Sequence, residues 1–374
     1  MLKSLKIKNF KNIKNLEIVK LSKVNLITGK NNTSKTSLLE AVLLLASDMD
    51  FNWIYSLIRE RGELYYTDNN NSSIPSKSIN NLLSLKSLFH SRLIDFEGGN
   101  PIFISSDKDF VGLDFIHFIE ETDKIDDNGR TVVRSRTRTR VNNLLDFPDS
   151  FIGLEVKTST NTIIVPEDRY SRFSQFTSSQ LKKNIQFVKP TFQDNENNGI
   201  LWDKIALTEK EDFVIEALQI IDKNIEKIAF IKDENNRNSR EERRVTAKVR
   251  GTTDRIPLKS MGDGINRVLS IILGLVNADK GYFFVDEFEN GLHYSVQQDL
   301  WKIIFELANK LDIQVFVTTH SEDCIKAFSE IVNLTKYNKQ GQLFRLDRKN
   351  DEIRVVSYES DELKIASEND IETR

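Results

Sequence analysis

One cysteine, Cys324, in 374 residues leaves no route to an intramolecular disulfide or a multi-cysteine metal site. Histidine is scarce as well, with four in the whole chain. Long hydrophobic runs are missing. The longest lies around Ala41 to Ala46, far short of the ~20 residues that span a bilayer. The first eight residues alternate lysine with apolar side chains and lack the continuous apolar block of a secretory signal. A soluble, cytoplasmic protein without a membrane role is therefore expected. A large excess of either charge is also lacking, with 53 Lys+Arg against 56 Asp+Glu. That balance argues against a dedicated nucleic-acid coat protein but leaves room for a local basic surface. No internal repeat and no sustained heptad is present, which excludes a long coiled coil.

What is present is a globular composition, 39% hydrophobic and 29% charged, in a length that suits one large or two ordinary domains. Charge is unevenly spread: residues 1–50 hold nine Lys and four acids, whereas residues 351–374 hold eight acids and three bases. Residues 2–10 alternate and Val24–Thr28 is a short apolar run, so both predict strands. A glycine-containing turn follows, and Ser37–Ser47 is apolar on nearly every side, as in a helix buried on several faces. Residues 68–80 are polar and proline-broken, which predicts a loop. Between about 100 and 192, short β-like runs predict an inserted antiparallel meander. Apolar spacing predicts one helix over Glu209–Ile228, and residues 232–244 are too polar to pack. From 264 the pattern reads helix 264–278, strand Tyr282–Val285, helix Ser295–Leu311, strand Gln314–Thr318, and a helix from about Ser321.

Four segments carry chemistry. Gly29-Lys-Asn-Asn-Thr-Ser34-Lys35-Thr36 sits between a strand and a helix. There a phosphate-binding loop offers backbone N–H groups, a lysine for the β/γ-phosphates and a hydroxyl for Mg²⁺. Ser34 stands where the usual pattern has a second glycine, and a positive φ there would favour glycine. Taken alone, the segment also reads as an Asn/Ser-rich helix cap. Tyr282-Phe-Phe-Val-Asp286-Glu287 is an apolar strand that would deliver Asp286 to a Mg²⁺ shell and Glu287 to an attacking water. An acidic cap after a strand is the plainer reading. Val315-Phe-Val-Thr-Thr-His320 ends a strand in a histidine able to contact a γ-phosphate or a water. Lys259-Ser260-Met-Gly262-Asp263-Gly264 opens a helix whose N-terminus can bind an anion, or is simply capped.

In this order the segments, with Glu289-Asn-Gly-Leu-His293 after the acidic pair, resemble the ABC-type ATPase heads of the SMC, RecF and OLD group. The chain is most similar to small stand-alone OLD-like AAA ATPases without a Toprim nuclease domain, since only 54 residues follow His320. The resemblance implies an α/β P-loop fold of the ABC-head type, with mixed sheet and flanking helices. Residues 1–50 and 196–374 would form the head, and 51–195 a β-rich insert. It also implies ATP and Mg²⁺, held by Gly29, Asn31, Asn32, Thr33, Ser34, Lys35, Thr36 and Ser37, with Thr36 and Asp286 for the metal. Glu287 would be the general base and His320 the switch histidine. Ser260, Gly262 and Asp263 would reach the γ-phosphate of an opposite subunit, and Lys11 would touch the nucleotide. No glutamine of the Q-loop type is identified, Gln193 being the nearest guess.

The partners implied are a second copy in an ATP sandwich and a separately encoded nuclease or other effector, often in antiphage systems. Nucleic acid is a further candidate. The alternatives are a RecF-like DNA-repair ATPase that clamps duplex DNA and a nucleotide-binding scaffold with little turnover. Arg134, Arg136, Arg138 and Arg140 would line one face of a strand. They form either an anion-facing surface or an edge strand paired to acids such as Glu120, Glu121 and Asp123.

Overall fold

A computed structural model describes residues 1–63, 82–95, 99–127, 130–166, 183–190, 195–232, 243–350 and 352–368. The polar stretch 68–80, most of 232–244, and Gln193 lie outside them. The chain divides into two units, one of Met1, Lys20–Leu39 and Lys183–Arg374, the other of Leu2–Val19 and Glu40–Lys182. Among the described residues no helix is long and apolar enough to cross a membrane.

The first unit is organised by strands that are buried from end to end. β3 (Val24–Thr28), β13 (Tyr282–Val285) and β14 (Gln314–Thr318) have no exposed position, as parallel strands covered on both faces require. The sheet runs β16–β15–β3–β14–β13–β9, with β9 at Ile185–Val188, β15 at Gly341–Lys349 and β16 at Glu352–Tyr358. All neighbours are parallel except β16, which returns antiparallel to β15. One face packs Val24, Leu26, Phe283, Val285, Val315 and Val317 with Ile271 and Leu275 of α6 (Asp263–Asn277), Leu300 and Ile304 of α7 (Tyr294–Lys310), and Phe328 of α8 (Glu322–Val332). The other face carries Phe284 stacked on Phe316, ring centres 5.5 Å apart. Its fold is thus α/β, a mostly parallel mixed sheet with flanking helices, as was expected.

A smaller sheet of the same unit joins β10 (Ile225–Lys232), β11 (Arg243–Val249) and β12 (Ile256–Pro257). This corrects the single helix expected over Glu209–Ile228. Helix α5 occupies only Lys210–Leu218. The Asp222 carboxylate accepts from Asn224 N at 2.9 Å and its Nδ2 at 3.1 Å, a local turn that competes with helix. A bulge between Ile225 and Lys227 then shifts the register. It leaves Ile225 and Ile228 buried in one core, so a strand with one extra residue imitates helical spacing.

In the second unit, β1 (Leu5–Phe10), β2 (Ile13–Ile18), β4 (Ile102–Ser105), β5 (Phe110–Asp127), β7 (Phe151–Thr158) and β8 (Thr162–Pro166) form the antiparallel order β2–β1–β4–β5–β7–β8. Strand β6 (Arg130–Val141) pairs with the later half of β5. The strands between residues 102 and 166 pair antiparallel and extend a sheet begun by β1 and β2, and the described arginines on β6 are paired. Arg138 Nε lies 2.8 Å from Glu120, the residue opposite it, and Arg140 reaches Asp114 at 3.1 Å and Glu155 at 2.8 Å. Arg136 is 3.6 Å from Glu120. The Arg134 side chain lies outside the described residues. Lys11, expected at the nucleotide, places its ammonium on the buried Glu40 at 2.6 Å, and Arg61 shares that carboxylate at 3.0 Å. Burial holds the Lys11 pKa below the ordinary lysine value, against the pull of Glu40.

Candidate nucleotide-hydrolysing site

Because β14 lies between β3 and β13, the ends of three parallel strands bring Gly29, Asp286 and Thr318 to one edge of the sheet. This is the edge where open α/β sheets bind ligands. Gly29 has φ +142°, and a Cβ there would lie 2.4 Å from the Leu346 carbonyl oxygen, so only glycine fits. Asn32 and Ser34 also take positive φ, +65° and +72°. Ser34 therefore holds a glycine-like conformation without being glycine. Asn31 and Asn32 are exposed, while Thr33, Ser34, Lys35 and Ser37 are buried. The Thr33 hydroxyl closes the loop by donating to Lys30 O at 2.8 Å. Lys35 opens helix α1 (Lys35–Ala46), and its ammonium donates back to Gly29 O at 2.6 Å and Lys30 O at 2.9 Å. The positive charge is thus held inside the loop it closes.

Thr36 donates its hydroxyl to Asp286 Oδ2 at 3.0 Å, joining residues 250 positions apart. Thr318 donates to the other oxygen, Asp286 Oδ1, at 2.5 Å, and accepts from the Glu287 backbone N at 2.8 Å. Glu287 itself sits at φ +49°, where the chain leaves the strand sharply. Its Oε1 is 3.7 Å from His320 Nε2, and both side chains are partly exposed. A carboxylate facing an imidazole at a strand end can hold and deprotonate a water between them.

Three residues were given no role of their own in the sequence reading. Thr318 ties Asp286 to Glu287, and its signal was a hydroxyl ending a buried strand. Glu289 accepts from the Thr319 hydroxyl at 2.7 Å and from His320 N at 2.6 Å. Arg267, a charge inside the apolar helix α6, donates to Lys189 O at 2.5 Å and to Asp286 O and Glu287 O, each at 2.8 Å. Burial lowers its pKa to about 10, against the pull of Asp286, Glu289 and Glu287, so it stays cationic at neutral pH.

The helix-opening segment lies on the surface of the same unit. Ser260 and Asp263 are exposed, and Ser260 donates only within its own turn, to Pro257 O at 2.7 Å. Gly262, φ +102°, has open space around it.

Residues 177–325 match the family described as the AAA ATPase domain. The chain is an ATPase. A curated protein from Helicobacter pylori described as an ATP/GTP phosphatase is 26% identical over 394 residues, covering 99% of both chains. Among solved structures, an SMC head bound to the C-winged helix domain of ScpA is 12% identical, with a TM-score of 0.47 over 96% of this chain and 97% of that one. The SMC head domain from Thermotoga maritima, also 12% identical, gives 0.42 over 96% and 99%.

Proposed function

We propose that the chain hydrolyses ATP by in-line attack of a water that Glu287 deprotonates, in a dimer closed around two nucleotides. It would thereby act as the switch subunit of a separately encoded nuclease or toxin effector. The observation that carries the chemistry is the convergence of Lys35, Thr36, Asp286, Glu287 and His320 at three adjacent strand ends. The loop N–H groups and the Lys35 ammonium would take the β- and γ-phosphates, which draw the ammonium off the two carbonyls it now holds. The Thr36 hydroxyl and the Asp286 carboxylate are hard oxygen donors already in contact, a set that fits Mg²⁺ with its remaining positions left to water and phosphate. Mg²⁺, when bound, neutralises charge on the phosphates. Glu287 takes the proton of the attacking water, the bond from the γ-phosphorus to its bridging oxygen breaks, and ADP and phosphate leave. His320 orients the water through Nε2. The relative's description extends the candidate substrates to GTP.

The effector role, with antiphage defence as its setting, rests on the resemblance to stand-alone OLD-like heads. Co-purification of a second protein with the chain supports it, and DNA-stimulated turnover without one would favour the DNA-clamping alternative. The chemistry is tested by two variants. Lys35→Ala is expected to lose ATP binding, whereas Glu287→Gln is expected to bind ATP as the wild type does and lose turnover by about 100-fold or more. Equal loss of ATP binding in both would refute the roles assigned.

A further inference from the structure

Glu289 lies two residues beyond the proposed base and in the proposed mechanism touches neither substrate nor metal, yet both its oxygens are committed. Oε2 accepts from the Thr319 hydroxyl at 2.7 Å and Oε1 from the His320 backbone N at 2.6 Å. The same hydroxyl accepts from Ser321 N at 3.0 Å, and Thr319 is fully buried. Phe288 N donates to Thr318 O at 3.0 Å, so the two loops are also joined by backbone one step earlier. The segment that carries Glu289 is pinned on its other side. Asn290 donates to Pro190 O at 2.8 Å, and the Gly291 carbonyl lies 3.1 Å from where a Cβ of Gly264 would stand. Gly264 is in the first turn of α6, next to Gly262 and Asp263. A continuous path therefore runs from the exposed start of α6, through Gly291 and Glu289, to the backbone of His320.

We propose that Glu289 is a positioning residue that sets the height and orientation of His320 against Glu287, making the histidine respond to whatever engages the start of α6. The inference rests on the role given to His320 above. Charged acceptors make the stronger hydrogen bonds, and one carboxylate that bonds a hydroxyl and a backbone N–H fixes both the side chain of Thr319 and the main chain of His320. Displacement of a catalytic group by ~1 Å can cost on the order of 100-fold in rate, so the loss of this brace falls on kcat and not on ATP affinity.

The test compares Glu289→Ala, Glu289→Gln, His320→Ala and the double variant Glu289→Ala/His320→Ala in the full chain. Turnover and ATP binding by a fluorescent analogue are both measured. Glu289→Ala is expected to lower kcat by ~10- to 100-fold with ATP affinity within about twofold, which also reports that the fold is intact. Glu289→Gln keeps one oxygen for His320 N and is expected to recover part of the rate. The double variant is expected to be no slower than His320→Ala alone, since a brace has nothing left to position. A slow His320→Ala whose effect multiplies with Glu289→Ala overturns the positioning role alone. Wild-type turnover in His320→Ala overturns the reading of His320 and the brace with it. Loss of ATP binding in both Glu289 variants makes Glu289 a structural residue and also overturns the proposal.

Discussion

At Ser34 the loop between β3 and α1 takes a left-handed backbone, φ +72°, and fills it with a residue that has a Cβ. Holding a non-glycine residue there costs on the order of 1–3 kcal/mol. The Ser34 hydroxyl is also buried without a hydrogen-bond partner among the described residues, which costs roughly 1–3 kcal/mol more. Glycine would remove both penalties and return about 0.5–1 kcal/mol through its greater freedom when unfolded. Ser34→Gly is therefore expected to stabilise the ligand-free protein, raising Tm by about 2 °C per kcal/mol gained. A lowered Tm in calorimetry would show that the hydroxyl has a partner in solution. Lys35 shows the opposite case, since its charge is satisfied by two carbonyls of the loop.

Among the elements, the turn after β13 is held from two sides. Arg267 of α6 donates to the carbonyls of Asp286 and Glu287, while Thr318 of β14 binds the Asp286 carboxylate and the Glu287 N–H. The left-handed backbone at Glu287 is stable because its polar groups are claimed by neighbours on both sides. On β5 and β6 the charges are arranged for pairing. The Asp114 carboxyl is nearly buried beside Arg140 and Glu155. Burial pushes its pKa above the ordinary carboxylate value, aided by Glu155, while Arg140 pulls the other way. The sign follows: a carboxyl with a raised folded pKa contributes stability when protonated, and loses it as pH rises through the folded value. Asp114→Asn cannot ionise, so its melting temperature is expected to fall less than that of the wild type as pH rises above about 4. Parallel Tm–pH curves for the two proteins would count against this account.

For the whole chain, the exposed helix start at Ser260–Asp263 is the feature a single copy leaves without a role. Among the described residues Ser260 bonds its own turn and Gly262 faces open space, so under the proposed sandwich this helix start would be open to an anion. A second copy that presents its loop-bound ATP would supply one. With Glu287→Gln to prevent turnover, light scattering is expected to show 43.2 kDa without nucleotide and twice that with ATP and Mg²⁺. An unchanged mass at saturating ATP would exclude the sandwich.

The strands β3, β13 and β14, the helices that follow them and the residues at their ends were legible in the sequence. Each is a local pattern, an apolar run closed by glycine, carboxylate or histidine, and local patterns survive without knowledge of what packs around them. The residues that hold the site were not legible. Thr36 and Asp286 are 250 positions apart and Thr318 and Asp286 32 apart, so their meeting depends on the order β3–β14–β13, which no spacing reveals. Arg267 drew no reading, and Glu289 only a place in the Glu289-Asn-Gly-Leu-His293 segment, until the fold supplied their acceptors and donors. Lys11 was expected at a nucleotide and the β6 arginines either at an anion or on nearby acids; a carboxylate on the next helix holds Lys11, and carboxylates across the sheet hold Arg136, Arg138 and Arg140. Ile225 and Ile228 matched a helix because one bulge turned a period of two into a spacing of three. Sequence alone determined which chemistry was present. Tertiary structure decided which charges were free to perform it, because a polar group's role depends on the partner that burial forces on it.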